Sequence, residues 1–161
     1  MAIYMKITSP DIKGDVTTTG FEGQIELSSF QWGIGRGVGS PSGASGNREA
    51  SNPSISEVTV TKMQDNASGE LLKESLSGEG KAKAEISFTR TDKGGAVVYI
   101  VYTLTDVMFS GFSMSSGGDR PSESLSLNFT KIEVKYTPQK EDGTAGTPFP
   151  VTYDLGKQAL S

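Results

Sequence analysis

Gly23-Gln24-Ile25-Glu26-Leu27-Ser28-Ser29-Phe30-Gln31-Trp32-Gly33 is the stretch on which the fold turns. Successive side chains of an extended chain point to opposite sides, so Ile25 and Leu27 share one face. Phe30 and Trp32 fall on the other parity. An apolar set that changes face within one run predicts a β-bulge near Ser28-Ser29, or a strand covered on both sides. The same switch recurs at 122–137. There Leu125, Leu127 and Phe129 share one parity and Ile132, Val134 and Tyr136 take the other, with the change centred on Thr130-Lys131.

The rest of the chain reads as further strands. Residues 2–8, 55–63 and 149–155 are short alternating runs. Residues 81–90 alternate cleanly, with Ala82, Ala84, Ile86 and Phe88 inward and Lys81, Lys83, Glu85 and Ser87 outward. Asp92-Lys93-Gly94-Gly95 is a hairpin turn leading into the long apolar strand 96–109. Runs of about 14 residues exceed the ~5–6 of an ordinary strand. Long strands that change face midway suit a sheet that bends from one layer into another. Residues 66–77 are the one good helix candidate, with Leu71, Leu72 and Leu76 at helical spacing and Gly78 as a stop. Many strands and one helix make an all-β barrel or sandwich, in a single domain over 1–161.

Composition narrows the chemistry. The chain has neither Cys nor His. This excludes disulfides, the usual Cys/His zinc sites, a Cys nucleophile and a Ser-His-Asp triad. A net charge of −4 argues against a nucleic-acid partner. No apolar run approaches the ~20 residues that span a bilayer, so no membrane insertion is expected. The N-terminus shows no signal-peptide pattern, and the chain is expected to be made in the cytoplasm.

Candidate chemistry is sparse. Residues 34–54 form a long Gly/Ser-rich loop in which Gly33, Gly35, Gly37 and Gly39 alternate without composing a phosphate-binding motif. Asp119-Arg120 and Glu123 read as a surface charge cluster beside a turn. Leu27, Phe30, Trp32, Phe88, Leu127 and Phe129 are core candidates. No catalytic residue, metal ligand or cofactor is expected. The residues alone favour a structural or binding role, with a small monomeric β-sandwich that binds carbohydrate or peptide through Trp32 and Tyr99 or Tyr102 as the alternative.

The segment 24–33 resembles the haemolysin-coregulated protein (Hcp) family, the tube protein of bacterial type VI secretion, with its Ile-x-Leu-x-Ser-aromatic-x-Trp-Gly strand and following Gly-rich loop. The likeness continues in order through Val60-Thr61-Lys62-Met63-Gln64-Asp65, Leu71-Leu72, Thr103-Leu104-Thr105-Asp106-Val107 and Glu123 to Tyr136. It implies a β-barrel-like arrangement of two antiparallel sheets with one short flanking α-helix. It further implies hexameric rings that stack into a tube with a spike protein at its tip, inside a contractile sheath, carrying effector proteins in its lumen. Export would then be by type VI secretion to the extracellular space or a target cell. On that reading Arg36, Gly37, Ser40, Arg48 and Glu49 are candidate contacts between subunits or rings, and Ser110, Ser113, Ser115 and Ser116 are candidates to face the lumen or a partner.

Overall fold

A computed structural model describes residues 1–39 and 49–161, with Glu49 placed by its backbone only. The strands are β1 (Ala2–Thr8), β2 (Ile25–Leu27), β3 (Ser29–Gln31), β4 (Ile34–Gly35), β5 (Val38–Gly39), β6 (Glu49–Ala50), β7 (Ser54–Ile55), β8 (Val58–Met63), β9 (Ala82–Asp92), β10 (Gly95–Ser115), β11 (Ser122–Asn128), β12 (Lys131–Tyr136), β13 (Phe149–Asp154) and β14 (Ala159–Leu160). One helix, α1 (Ser68–Ser77), follows β8.

The parity switch at Ser28-Ser29 closes a barrel. β2 pairs antiparallel with β1, whereas β3, after a single intervening residue, pairs with β8. Ser28 sits between them and donates its N–H to the Thr61 carbonyl at 2.7 Å. The ring of pairings then runs β1, β9, β10, β11, β8 and back through β3 and β2.

β10 makes the second corner. Its first part pairs with β9 and β12, and its last part with β11. The register breaks between Leu104 and Val107, where Asp106 takes a left-handed φ of 54°. Asp tolerates that conformation better than most residues. Thr130 Oγ1 braces the corner by donating to Asp106 Oδ2 at 2.9 Å.

This geometry corrects the reading of 122–137 as one strand. The run is two strands, β11 and β12, which pair with different halves of β10 across a turn at Phe129-Thr130. The change of parity is therefore a corner between two sheets. The segment 34–54 differs from the expected loop as well. Its described parts are two antiparallel limbs, with Ile34 opposite Ile55 and Val38 opposite Ala50, forming a ribbon-like arm.

Met5, Ile7, Ile25, Val58, Val60, Ile86, Leu104 and Leu125 fill the barrel and are fully or almost fully buried. Leu27, Leu127 and Phe129 are buried with them, whereas Phe30, Trp32 and Phe88 are half-buried at the margin of the core. These three aromatics pack around Tyr102, with Phe30–Tyr102 centroids 4.6 Å apart and Trp32–Tyr102 5.8 Å apart in an edge contact. Edge-to-face pairs add to the area they bury. Burial pushes the Tyr102 phenol above its ordinary value. In α1 only Leu71 is buried; Leu72 is partly exposed and Leu76 is 80% exposed.

Candidate functional site

The surface carries three built features: a hydroxyl-lined wall, an apolar groove beside the arm, and a buried charge network under the helix.

The wall is the outward face of β3, β8, β11 and the end of β10. Leu125 and Leu127 point inward, so Ser122, Ser124 and Ser126 point out. Across the strands, Ser29, Thr61, Ser124 and Ser113 occupy one row of the register. Gln31, Thr59 and Ser126 form the next. Every side chain in these two rows is a hydroxyl or an amide, and the Ser29 and Thr61 hydroxyls bond to each other. These two rows are hydrated and present nothing apolar to a neighbour, and Met63, exposed on the same outward face opposite Ser122, borders them.

The four serines singled out from sequence divide here. Ser113 and Ser115 lie on the wall, opposite Ser124 and Ser122. Ser110 lies at the bulge between Phe109 and Gly111, where its hydroxyl donates to the Glu57 carboxylate. Ser116 builds the next turn, donating to the Asp119 carbonyl at 2.9 Å. The larger set of Ser29, Thr59, Thr61, Ser124 and Ser126 was not anticipated. Its signal was present in the alternation Ser122-x-Ser124-x-Ser126 and Thr59-x-Thr61.

The groove has a volume of about 370 Å³ and lies between the base of the arm and the extension β12–β13–β14. Trp32, Ile34, Ile55, Val134, Val151 and Leu160 line it. Asn52 Nδ2 ties the arm to the β13–β14 turn by donating to Gln158 Oε1 at 3.1 Å. Ile34 is 57% exposed, Val38 55% and Leu160 71%, although the barrel has a well-filled interior in which to bury apolar side chains. Trp32 Nε1 is buried with no acceptor among the described residues.

Of the loop residues singled out, Arg36 and Gly37 hold the two limbs of the arm together. Arg36 Nε donates to the Ser51 carbonyl at 3.0 Å, and Gly37 N–H to Ser51 Oγ at 2.9 Å. Glu49 lies on the returning limb opposite Gly39. Ser40 and Arg48 lie outside the described residues.

The charge network overturns the surface reading of Glu123. Glu123 is 1% exposed and Lys62 is wholly buried beside it. Lys62 Nζ lies 2.7 Å from Glu123 Oε1, 2.9 Å from Asp65 Oδ1 and 2.9 Å from the Met63 carbonyl. Ser68 Oγ, in the first turn of α1, donates to the same Glu123 oxygen at 2.6 Å. Every charge is paired and bonded, as burial requires. The cluster fastens the start of the helix to β8 and β11. Arg120 stays at the surface, with its Nε donating to the Gln64 carbonyl at 2.6 Å and a loose contact of 3.8 Å to Asp15. Among the described residues, no group of three acidic side chains is placed to hold a metal ion.

Comparison with known proteins adds a family. Residues 4–136 match the family model described as type VI secretion system effector, Hcp. Protein hcp1 of Pseudomonas aeruginosa is 32% identical over 91 residues, covering 55% of this chain and 56% of that protein. The chain thus aligns with little more than half the length of that relative. A solved type six secretion system protein superposes with a TM-score of 0.84 at 27% identity, covering 99% of both chains. Hcp1 from Salmonella typhimurium has the same fold, with a TM-score of 0.75 at 22% identity over 99% of this chain and 98% of that one.

Proposed function

This chain belongs to the Hcp family of the type VI secretion system, and from that premise we propose that it is the structural subunit of the secretion tube. Six copies close a ring, rings stack into a tube that is expelled, and the lumen carries effector proteins. The hydroxyl wall of β3, β8, β11 and β10 faces that lumen. A spike protein at the tip and a contractile sheath outside complete the assembly, and the protein leaves the cell with the tube.

The observation that carries this reading is the apolar groove with its arm. Ile34, Val151 and Leu160 stay in water around a groove built at the barrel wall, and Val38 is exposed farther along the arm. Clustered exposed apolar side chains mark an interaction surface. A ring needs two different, complementary patches on each subunit, which contact head to tail and close by rotation. The arm and the groove are two such patches.

The hydroxyl wall fits the role of a conduit. It offers hydrogen bonds without apolar grip, so a passenger is held weakly. The alternative of a monomeric ligand-binding sandwich needed Trp32 and Tyr102 open in a pocket. Tyr102 packs against Phe30 and Trp32 instead, and Trp32 and Tyr99 line two separate recesses.

Native mass spectrometry tests the reading. Six 17.0-kDa protomers give a species near ~102 kDa. A strict monomer at high concentration would refute it.

A further inference from the structure

Arg90 stands apart from the other described arginines. Arg36 and Arg120 each donate from Nε to a backbone carbonyl. Arg90 Nε is buried with no acceptor, and no carboxylate lies within ion-pair distance of the guanidinium among the described residues. A half-buried cation with an unmade hydrogen bond is a costly arrangement unless something completes it.

The side chain lines a recess of about 430 Å³ at one end of the barrel, together with Tyr99, Tyr136, Thr137 and Gln139. Each of these five side chains carries a hydrogen-bond donor, Met1 and Pro138 complete the lining, and no acidic side chain lines the recess. On a chain of net charge −4, this is a locally cationic, donor-rich pocket. Its chemistry selects a carboxylate, which a guanidinium binds by two parallel hydrogen bonds.

The opposite end of the barrel carries the complement. Thr8 pairs with Lys83 and Ala2 with Thr89, so the loop after β1 and the recess sit at opposite ends of β9. The seven steps from Lys83 to Arg90 span about 23 Å at ~3.3 Å per residue. The loop 9–24 holds Asp11, Asp15 and Glu22 against Lys13 alone. Asp15 is engaged by the Asn66 N–H at 3.1 Å. Asp11 and Glu22 are exposed; Asp11 pairs with Lys13 at 3.3 Å, and among the described residues Glu22 accepts only the Gly20 N–H at 3.0 Å.

We propose that the Arg90 recess receives an acidic side chain, Glu22 or Asp11, from the 9–24 loop of a second copy stacked end to end. This rests on the tube reading and deepens it by naming a polar contact between successive rings. A neutral or like-charged loop would leave the guanidinium unpaired, so the contact also fixes polarity: recess to loop, never recess to recess.

Sedimentation velocity of the full chain at low salt tests this. R90Q and R90E are expected to keep the mass of a single ring and to weaken end-to-end association tenfold or more. The D11N/E22Q pair, on an exposed loop, is expected to do the same without touching the recess, which separates lost contact from misfolding. Combining R90E with D11R/E22R should restore stacking. Native rings whose end-to-end association is unchanged by both R90Q and D11N/E22Q would overturn this inference alone. A native chain that sediments only as a monomer would overturn the tube reading and this one together.

Discussion

Replacing Lys62 with Met tests whether the buried charge network holds the helix to the barrel. The substitution keeps most of the side-chain volume and removes the ammonium, leaving Glu123 in the interior at 1% exposure with only the Ser68 hydroxyl for company. Removing one partner of a buried pair costs about 3–5 kcal/mol. For a domain of this size each kcal/mol moves Tm by about 2–4 °C, so K62M should melt roughly 6–20 °C lower. E123Q is milder, because Lys62 keeps Asp65 at 2.9 Å and the Met63 carbonyl at 2.9 Å. Its expected cost is about 1.5–3 kcal/mol, that of a hydrogen bond to a charged group. The double variant K62M/E123L removes both charges and should recover about half of the loss. Recovery stays incomplete because Asp65 and Ser68 lose their cation, although the Ala67 N–H still bonds Asp65 Oδ1 at 2.9 Å. Urea unfolding of the native protein, K62M, E123L and K62M/E123L closes the double-mutant cycle and gives the coupling energy, expected at about 2 kcal/mol or more. A K62M protein within 1 kcal/mol of the native one would refute the reasoning, since the ammonium would then contribute nothing that water could not replace.

Three other outcomes are expected. Gly14→Ala should destabilise by about 1–3 kcal/mol in a thermal melt, because a Cβ there would meet the Gln24 carbonyl oxygen at 2.5 Å and Ile25 Cα at 2.9 Å, both backbone atoms. Tyr102 should ionise above the ordinary phenol value in an ultraviolet titration. Its folded value is raised by burial, so the stability it contributes is complete below its unfolded value near 10.0 and falls as pH rises beyond it. Ile34→Ser with Val38→Ser should leave Tm almost unchanged, since both side chains are more than half exposed, yet shift the native mass spectrum away from the ring.

The fold was legible where parity speaks, and less so where charge hides it. The face change at Ser28-Ser29 predicts a bulge or a strand covered on both sides; in the fold it is neither but a change of partner strand, from β1 to β8, and this is the seam that closes the barrel. At Thr130-Lys131 the same signal meant a corner between sheets, because parity alone cannot separate an extra residue in one strand from a strand that ends. Lys62 lies on the inward parity of Val58 and Val60, so alternation placed it in the core. Its charge argued for the surface, and the partner that reconciles the two is 61 residues away on β11. The hydroxyl wall was missed for a related reason. Serines spaced by two look like outward filler on a single strand, and become a surface only when four strands align them row by row.

Two kinds of surface follow from this barrel, and they predict opposite responses to salt. The arm and groove are apolar, with Ile34, Val38, Val151 and Leu160 seeking cover from water. Association through such surface is insensitive to ionic strength, and excluded salts strengthen it. The proposed contact between the Arg90 recess and the 9–24 loop works through charge, and the Debye length falls from about 10 Å at 0.1 M salt to about 3 Å at 1 M. The proposed ring of six would carry −24 from six chains of −4, so screening would also relieve the repulsion between rings. If that general repulsion dominated, salt would promote stacking. If the local pair dominates, as a partly desolvated guanidinium demands, salt weakens stacking while ring mass stays constant. Sedimentation velocity across 0.05–1 M sodium chloride distinguishes the two (an estimated range set by the screening lengths above). Rings that dissociate before the stacks do would refute the assignment of dry contacts to the ring and polar contacts to its ends.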